Sequence, residues 1–125
     1  MRSILRGLVG LVGVLGLLMA LRIWMAPAAA AGKLGLVGQG PLGEATLRAD
    51  VAGFFGVAGG LALYAAIRNR AGLLTAPLLL IGAALAGRIV TLAASGPGPD
   101  TLAPMLVEAV LVVILGAGRR LLPQA

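Results

Sequence analysis

Apolar residues fill four long stretches of this chain, and short clusters rich in Gly, Pro, Ser, Asn or Arg separate them. A membrane-crossing helix needs about 20 mostly apolar residues. By that measure the pattern predicts spans over about residues 4–25, 50–67, 75–94 and 102–118. The second stretch stops at Arg68-Asn69-Arg70, the third at Ser95-Gly96-Pro97-Gly98-Pro99-Asp100, and the fourth at Gly118-Arg119-Arg120. Pro77 and Pro104 fall in the first turn of their predicted helices, where a missing N–H costs little. Asp100 or Thr101 is the expected cap of the last helix. The predicted fold is an all-α integral membrane four-helix bundle, one transmembrane domain over residues 1–125.

Composition turns this pattern into a statement about solvent. Hydrophobic residues make up 60% of the chain and charged ones 11%, whereas a soluble domain carries charge on roughly a quarter of its positions. A water-facing surface cannot be built from that inventory, so lipid is the expected surrounding of most of the chain. The formal charge of +6 would in a soluble chain suggest a nucleic-acid partner. Here the arginines sit at the ends of apolar runs and aromatics are only 3% of residues. A stacking surface and a basic stripe are both missing, so no nucleic-acid partner is expected. The sequence has no Cys and no His, which removes thiolate chemistry, imidazole bases and the usual zinc or haem ligands. No metal and no cofactor is expected.

With four spans, Arg2, Arg6, Arg68, Arg70, Arg119 and Arg120 gather on one side. The positive-inside rule makes that side cytoplasmic. Both termini are then cytoplasmic, in a multi-pass protein of the bacterial inner membrane. The N-terminus also has a second reading. Arg2 to Arg6, an apolar stretch and then Ala26-Pro27-Ala28-Ala29-Ala30-Ala31 resemble a secretory signal with a small-residue cleavage site, although the apolar stretch is long for one and Arg22 and Trp24 interrupt it. Residues 26–48 are too long for a simple turn and read as an ordered or partly inserted external loop, which lies at membrane depth only under protein or water.

Helices in lipid associate through small residues and hydrogen bonds. Gly7, Gly10, Gly13 and Gly16 recur in the first span, and Ala52, Gly56 and Gly60 in the second, beside Gly53 and Gly59. Gly82, Ala83, Ala86 and Gly87 recur in the third. These faces suit packing within the chain, or against a second copy or a membrane-protein partner. Trp24 and Tyr64 read as interfacial anchors. Phe54 and Phe55 are adjacent and point to different sides of their helix, for lipid or core packing.

The ionisable residues within or beside the spans carry the most information. Such a residue at a helix centre costs about 2.5–3.5 kcal/mol on insertion scales and usually pairs inside the bundle. A rise of about 1.5 Å per residue from the cytoplasmic arginines puts Arg22, Asp50 and Arg88 roughly 24–27 Å up their helices and Glu108 roughly 16 Å up. Glu44 and Arg48 lie just outside. Arg22, Glu44, Arg48, Asp50, Arg88 and Glu108 thus form a candidate polar cluster in the outward half, with Arg88 and Glu108 the first expected pair. One reading is a neutral knot that sets helix register. The other is a pocket or relay open to the outside, with Glu108 titrating and Arg88 or Arg22 binding an anionic or polar group. No phosphate-binding Gly-rich loop with its Lys and no nucleophile with a base partner is present, and no catalytic residue is assigned.

The stretch Leu47-Arg48-Ala49-Asp50-Val51-Ala52-Gly53-Phe54-Phe55, preceded by Pro27-Ala28-Ala29-Ala30-Ala31-Gly32, resembles a family of small bacterial inner-membrane proteins known as a domain of unknown function with four predicted helices. The likeness covers most of the chain. In that family an Arg-x-Asp segment opens the second helix, which maps onto Arg48 and Asp50. An Arg late in the third helix and an acidic residue in the fourth map onto Arg88 and Glu108. Because that family has no assigned activity, the resemblance implies an architecture and no function. Small multidrug exporters share the length but use a carboxylate in the first helix, which this chain lacks. Small fluoride channels use Asn and Phe tracks and commonly insert both ways, whereas Asn69 is the only Asn here. Three functions stay open: a non-enzymatic membrane component that packs with itself or a larger complex, a small-solute or proton-coupled transporter using Glu108, and an enzyme acting on lipid or quinone.

Overall fold

The computed structural model describes residues 2–98 and 101–124. The fold is all-α, in the order α1 (Arg2–Met25), α2 (Pro27–Lys33), α3 (Gly40–Thr46), a π-helical turn (Leu47–Val51), α4 (Ala52–Arg68), a 3-10 turn (Ala71–Leu74), α5 (Thr75–Ser95) and α6 (Leu102–Leu121). Among the described residues four helical stretches are long and apolar enough to cross a membrane, the second being the continuous run Gly40–Arg68. In the most apolar window of α6 only 11% of residues are buried by the rest of the chain, and in that of Gly40–Arg68 only 33%. Most of the Leu, Val and Ile on these helices therefore face outward, which a bundle in water does not sustain.

The second span differs from its expected start. Helix begins at Gly40 instead of residue 50, and a π turn joins α3 to α4 without a break. The segment read as a loop over 26–48 is also mostly helical, since Pro27 starts α2 at a position where its missing N–H is harmless. Ile23, Ala30, Ala31, Leu47 and Ala52 form a small buried cluster that docks this segment against α1 and α4. The chain's own small apolar side chains thus cover irregular backbone that the bilayer does not tolerate bare.

The arginine-rich end is closed by capping. Asn69 takes the left-handed conformation after α4, with φ of 53°, a role that Asn fills better than most residues. This turn lets the Arg70 N–H donate to the Ala65 carbonyl at 3.0 Å. Arg6 from α1 then donates to the next two carbonyls, its Nε to Ala66 and its Nη2 to Ile67 at 2.8 Å. Two otherwise orphaned carbonyls at the helix end, those of Ala66 and Ile67, are thereby satisfied, and a cation sits at the negative end of its dipole. The Ala71 N–H donates to the Pro123 carbonyl at 2.8 Å, and Arg119 Nε donates to Thr75 Oγ1 at 2.9 Å, which ties the chain's end to the start of α5.

Packing is uneven along the bundle. Antiparallel α1 and α4 meet through Gly13, Gly16 and Gly59, so closely that a Cβ built on Gly13 would lie 2.4 Å from the Leu63 nitrogen. Close backbone approach of this kind supplies the van der Waals contact that holds helices together in lipid. The main core joins Val9, Val12, Ala62, Ala65, Ala66, Ala71, Leu74, Ile81, Leu115 and Leu122 near the arginine-rich end. In α5 only Pro77 and Ile81 are buried, and in α6 only Leu115 and Gly118. The far halves of α5 and α6 therefore stand away from the α1–α4 pair.

Candidate functional site

Where α5 and α6 part from α1 and α4, Arg88 and Glu108 face each other. Arg88 lies seven residues before the end of α5 at Ser95, and Glu108 six residues after the start of α6 at Leu102. At about 1.5 Å per residue, both sit about 10 Å in from the far end. Arg88 Nε donates to Glu108 Oε1 at 2.5 Å, and the two side chains are 38% and 14% exposed. The different heights expected from sequence came from counting α5 from Arg70. Residues 71–74 form a 3-10 turn ahead of α5, and Arg119 bonds Thr75, which sets these two residues at a common level. Thirteen residues of rise on α5 then face eleven on α6, a difference of about 3 Å that the long Arg side chain spans.

The remaining members of the candidate cluster lie elsewhere. Glu44 and Arg48 form a second pair at 3.6 Å, one turn apart on the same helical run and about half exposed. An exposed pair of this kind contributes little to stability. Arg22 and Asp50 are exposed and make no side-chain hydrogen bond or ion pair among the described residues. The structure therefore brings together one α5–α6 pair and one local pair, with no bond joining them.

Trp24 has a partner that its amphipathic ring did not reveal. Its Nε1 donates to the Arg48 carbonyl at 3.0 Å, and Arg48 Nε donates to the Trp24 carbonyl at 3.1 Å. This reciprocal clamp ties the end of α1 to the π turn before α4. Thr101 also departs from expectation. It occupies the residue before α6 but makes no capping bond, and its hydroxyl donates to the Gly98 carbonyl at 2.7 Å and accepts from the Gly98 N–H at 3.0 Å. Asp100, the alternative cap, lies outside the described residues.

Two cavities meet at the Arg88–Glu108 pair. The first, of about 500 Å³, lies between the end of α2 and the far parts of α5 and α6, and it is lined by Lys33, Ala84, Gly87, Arg88, Thr91 and Thr101 among others. The second, of about 390 Å³, lies deeper between α1, α4, α5 and α6, and its wall includes Met19, Phe54, Phe55, Ile81, Val107 and Leu111. Leu34, Arg88 and Pro104 border both, so the cavities adjoin. Phe54 packs against the main core and Phe55 against the cluster of Ile23, Ala30, Ala31, Leu47 and Ala52, in line with their different sides of the helix. Their rings meet edge to face with centroids 5.2 Å apart and line the same hollow. The absence of a side chain at Gly87 helps keep the upper hollow open, since nothing lies within 4 Å of where its Cβ would be.

Chemically, the arrangement offers a cation held in place by a carboxylate, an apolar slot below it and a polar mouth above it. Among the described residues no group of three or more Asp, Glu, His or Cys is placed to hold a metal. Comparison with protein-family models, curated proteins and solved structures finds no match to this chain.

Proposed function

We propose that this chain is a non-enzymatic, multi-pass component of a bacterial inner membrane that holds a ligand in the cleft between its α1–α4 and α5–α6 halves. The observation that carries this reading is the one-sided packing. All buried residues of α5 and α6 lie near the arginine-rich end, while the other end opens around an ion pair whose Arg88 lines two adjoining cavities. A bundle selected only for packing would close there with small apolar residues, as α1 and α4 do. The positive-inside rule supports placing the cleft on the outward side.

Thiol labelling tests the proposal, and the chain has no native Cys to interfere. Ala84 lines the upper cavity, whereas its neighbour Ala83 is exposed on another face of α5 at nearly the same depth. In intact membranes, Ala84→Cys should react with a membrane-impermeant maleimide added from outside, and Ala83→Cys, facing lipid, should not. Equal labelling at both positions, or none at Ala84→Cys, would overturn the cleft.

A transport reading has one observation in its favour: Arg88 borders both cavities and so links the mouth to the interior. Proton and small-ion flux into liposomes, compared among wild type, Glu108→Gln and Arg88→Gln, decides it. Flux that vanishes in Glu108→Gln supports transport. Flux no greater than that of empty liposomes leaves binding without passage.

A further inference from the structure

The charge and shape of the two cavities define what fits them. Among the described residues the charged side chains lining the upper cavity are Lys33 and Arg88, both basic. Lys33 has no ion pair among the described residues, and the Arg88–Glu108 bond engages the Nε of Arg88 while its two terminal nitrogens make no hydrogen bond there. Other polar groups at the mouth are already committed: the Thr91 hydroxyl donates to the Gly87 carbonyl at 3.2 Å, and the Thr101 hydroxyl bonds Gly98. Among the described residues the unfilled capacity at the mouth is therefore cationic, and the forked terminal nitrogens of an Arg suit an oxyanion with two acceptor oxygens. Glu108 does not line this upper cavity. It lines the lower one, and its bond to Nε steers the guanidinium.

Directly below Arg88 the lower cavity is walled by Phe54, Phe55, Met19, Ile81, Val107 and Leu111, and among the described residues its charged lining groups are Arg88 and Glu108. Its volume of about 390 Å³ falls in the range of about 300–1,000 Å³ usual for small-molecule sites. An oxyanion alone leaves this slot unfilled, and a neutral alkane leaves Lys33 without a counter-charge and the terminal nitrogens of Arg88 without an acceptor.

From this we propose that the ligand of the cleft is a single-chain amphiphile with an anionic carboxylate or phosphate head. The head lies between Lys33 and the terminal nitrogens of Arg88, and the alkyl chain lies against Phe54 and Phe55. The proposal rests on the cleft reading above and names its occupant. Glu108 is then a positioning residue, which acts through Arg88.

The test uses the full chain purified in a neutral maltoside detergent, with native mass spectrometry as the readout. Dodecyl phosphate should be retained as a single adduct, in preference to dodecyltrimethylammonium with the same tail and to inorganic phosphate with the same charge type. Lys33→Gln should weaken dodecyl phosphate about tenfold, near the lower limit expected for loss of a charge-assisted hydrogen bond. Val107→Phe, on a half-exposed position of α6, should displace the tail and weaken the adduct by a comparable factor. Lys33 is exposed on α2, so its substitution does not strand a buried partner and folding is preserved. Equal retention of the anionic and cationic amphiphiles, or wild-type retention by Lys33→Gln or by Val107→Phe, would overturn the proposal. If Ala84→Cys labels as expected and head charge has no effect, the cleft stands and its anionic occupant falls. If Ala84→Cys does not label, both fall.

Discussion

Alanine at Gly13 probes the seam on which the rest of the bundle is hung. A Cβ there would lie 2.4 Å from the Leu63 nitrogen and 2.7 Å from the Gly59 oxygen, whereas ordinary contact begins at 3.4 Å. Both neighbours are backbone atoms, so no rotamer change relieves the clash, and α1 and α4 must part by about 1 Å along their closest approach. Overpacking of this kind costs about 1–3 kcal/mol. Replacing a mid-helix Gly also returns about 0.5–1 kcal/mol of backbone entropy, so the expected net loss is about 1–2 kcal/mol. Gly7→Ala supplies the control on the same helix, because nothing lies within 4 Å of its Cβ position, and there only the entropic gain operates. Reversible unfolding of both variants in mixed micelles, titrated with SDS and followed by circular dichroism, measures the difference. The two changes should have opposite signs. A Gly13→Ala protein as stable as Gly7→Ala would refute the close α1–α4 seam and the rigid half of the cleft with it.

Leu115 is fully buried in the core at the arginine-rich end, so Leu115→Ala should cost about 2–5 kcal/mol in the same titration, while Val113→Ala, on the exposed face of α6, should change little. Arg6→Gln removes the guanidinium that caps the Ala66 and Ile67 carbonyls and should lower stability by about 0.5–2 kcal/mol, with faster amide exchange confined to the end of α4. Glu108→Gln and Arg88→Gln each strand the other's charge and should each cost up to about 2 kcal/mol, since the Arg88 side chain is more than a third exposed; the double variant should recover part of that loss, and strict additivity would show that the pair is not coupled. The glycine seam also bears on the N-terminus: a span packed this closely into the fold is expected to stay in the mature protein, and intact-mass measurement of membrane-extracted protein should retain residues 2–25, with a mature start near residues 27–31 as the contrary result.

Much of the architecture is legible in the residue pattern because it depends on one solvent property. Lipid does not pair with backbone polar groups, so long apolar runs become helices whatever surrounds them, and arginine clusters with Pro and Gly mark where those helices stop. Asn69 before a basic residue and the prolines at 77 and 104 are local signals with local causes. The candidate pair Arg88–Glu108 was legible for a related reason: opposite charges on successive antiparallel helices have few other ways to lie in lipid. The other four members of the cluster were placed by height alone, and height says nothing of which side of a helix a residue faces. The Trp24–Arg48 clamp was hidden because it uses backbone carbonyls, which every residue has.

Four apolar helical stretches, the shared end at which they put the termini, and one pair of opposite charges on successive helices, Arg88 and Glu108, could be read from the residue order alone. Tertiary structure decided which glycines touch: Gly13, Gly16 and Gly59 meet backbone, while Gly7, Gly82 and Gly87 meet nothing within 4 Å. It also decided that α5 and α6 close against the other helices at one end only, so that Arg88, Lys33 and the two Phe rings surround adjoining hollows. The physical reason is that hydropathy and helix rise set one coordinate, the depth along the membrane normal, whereas the rotation and splay of helices depend on the sum of many weak contacts between residues far apart in the chain.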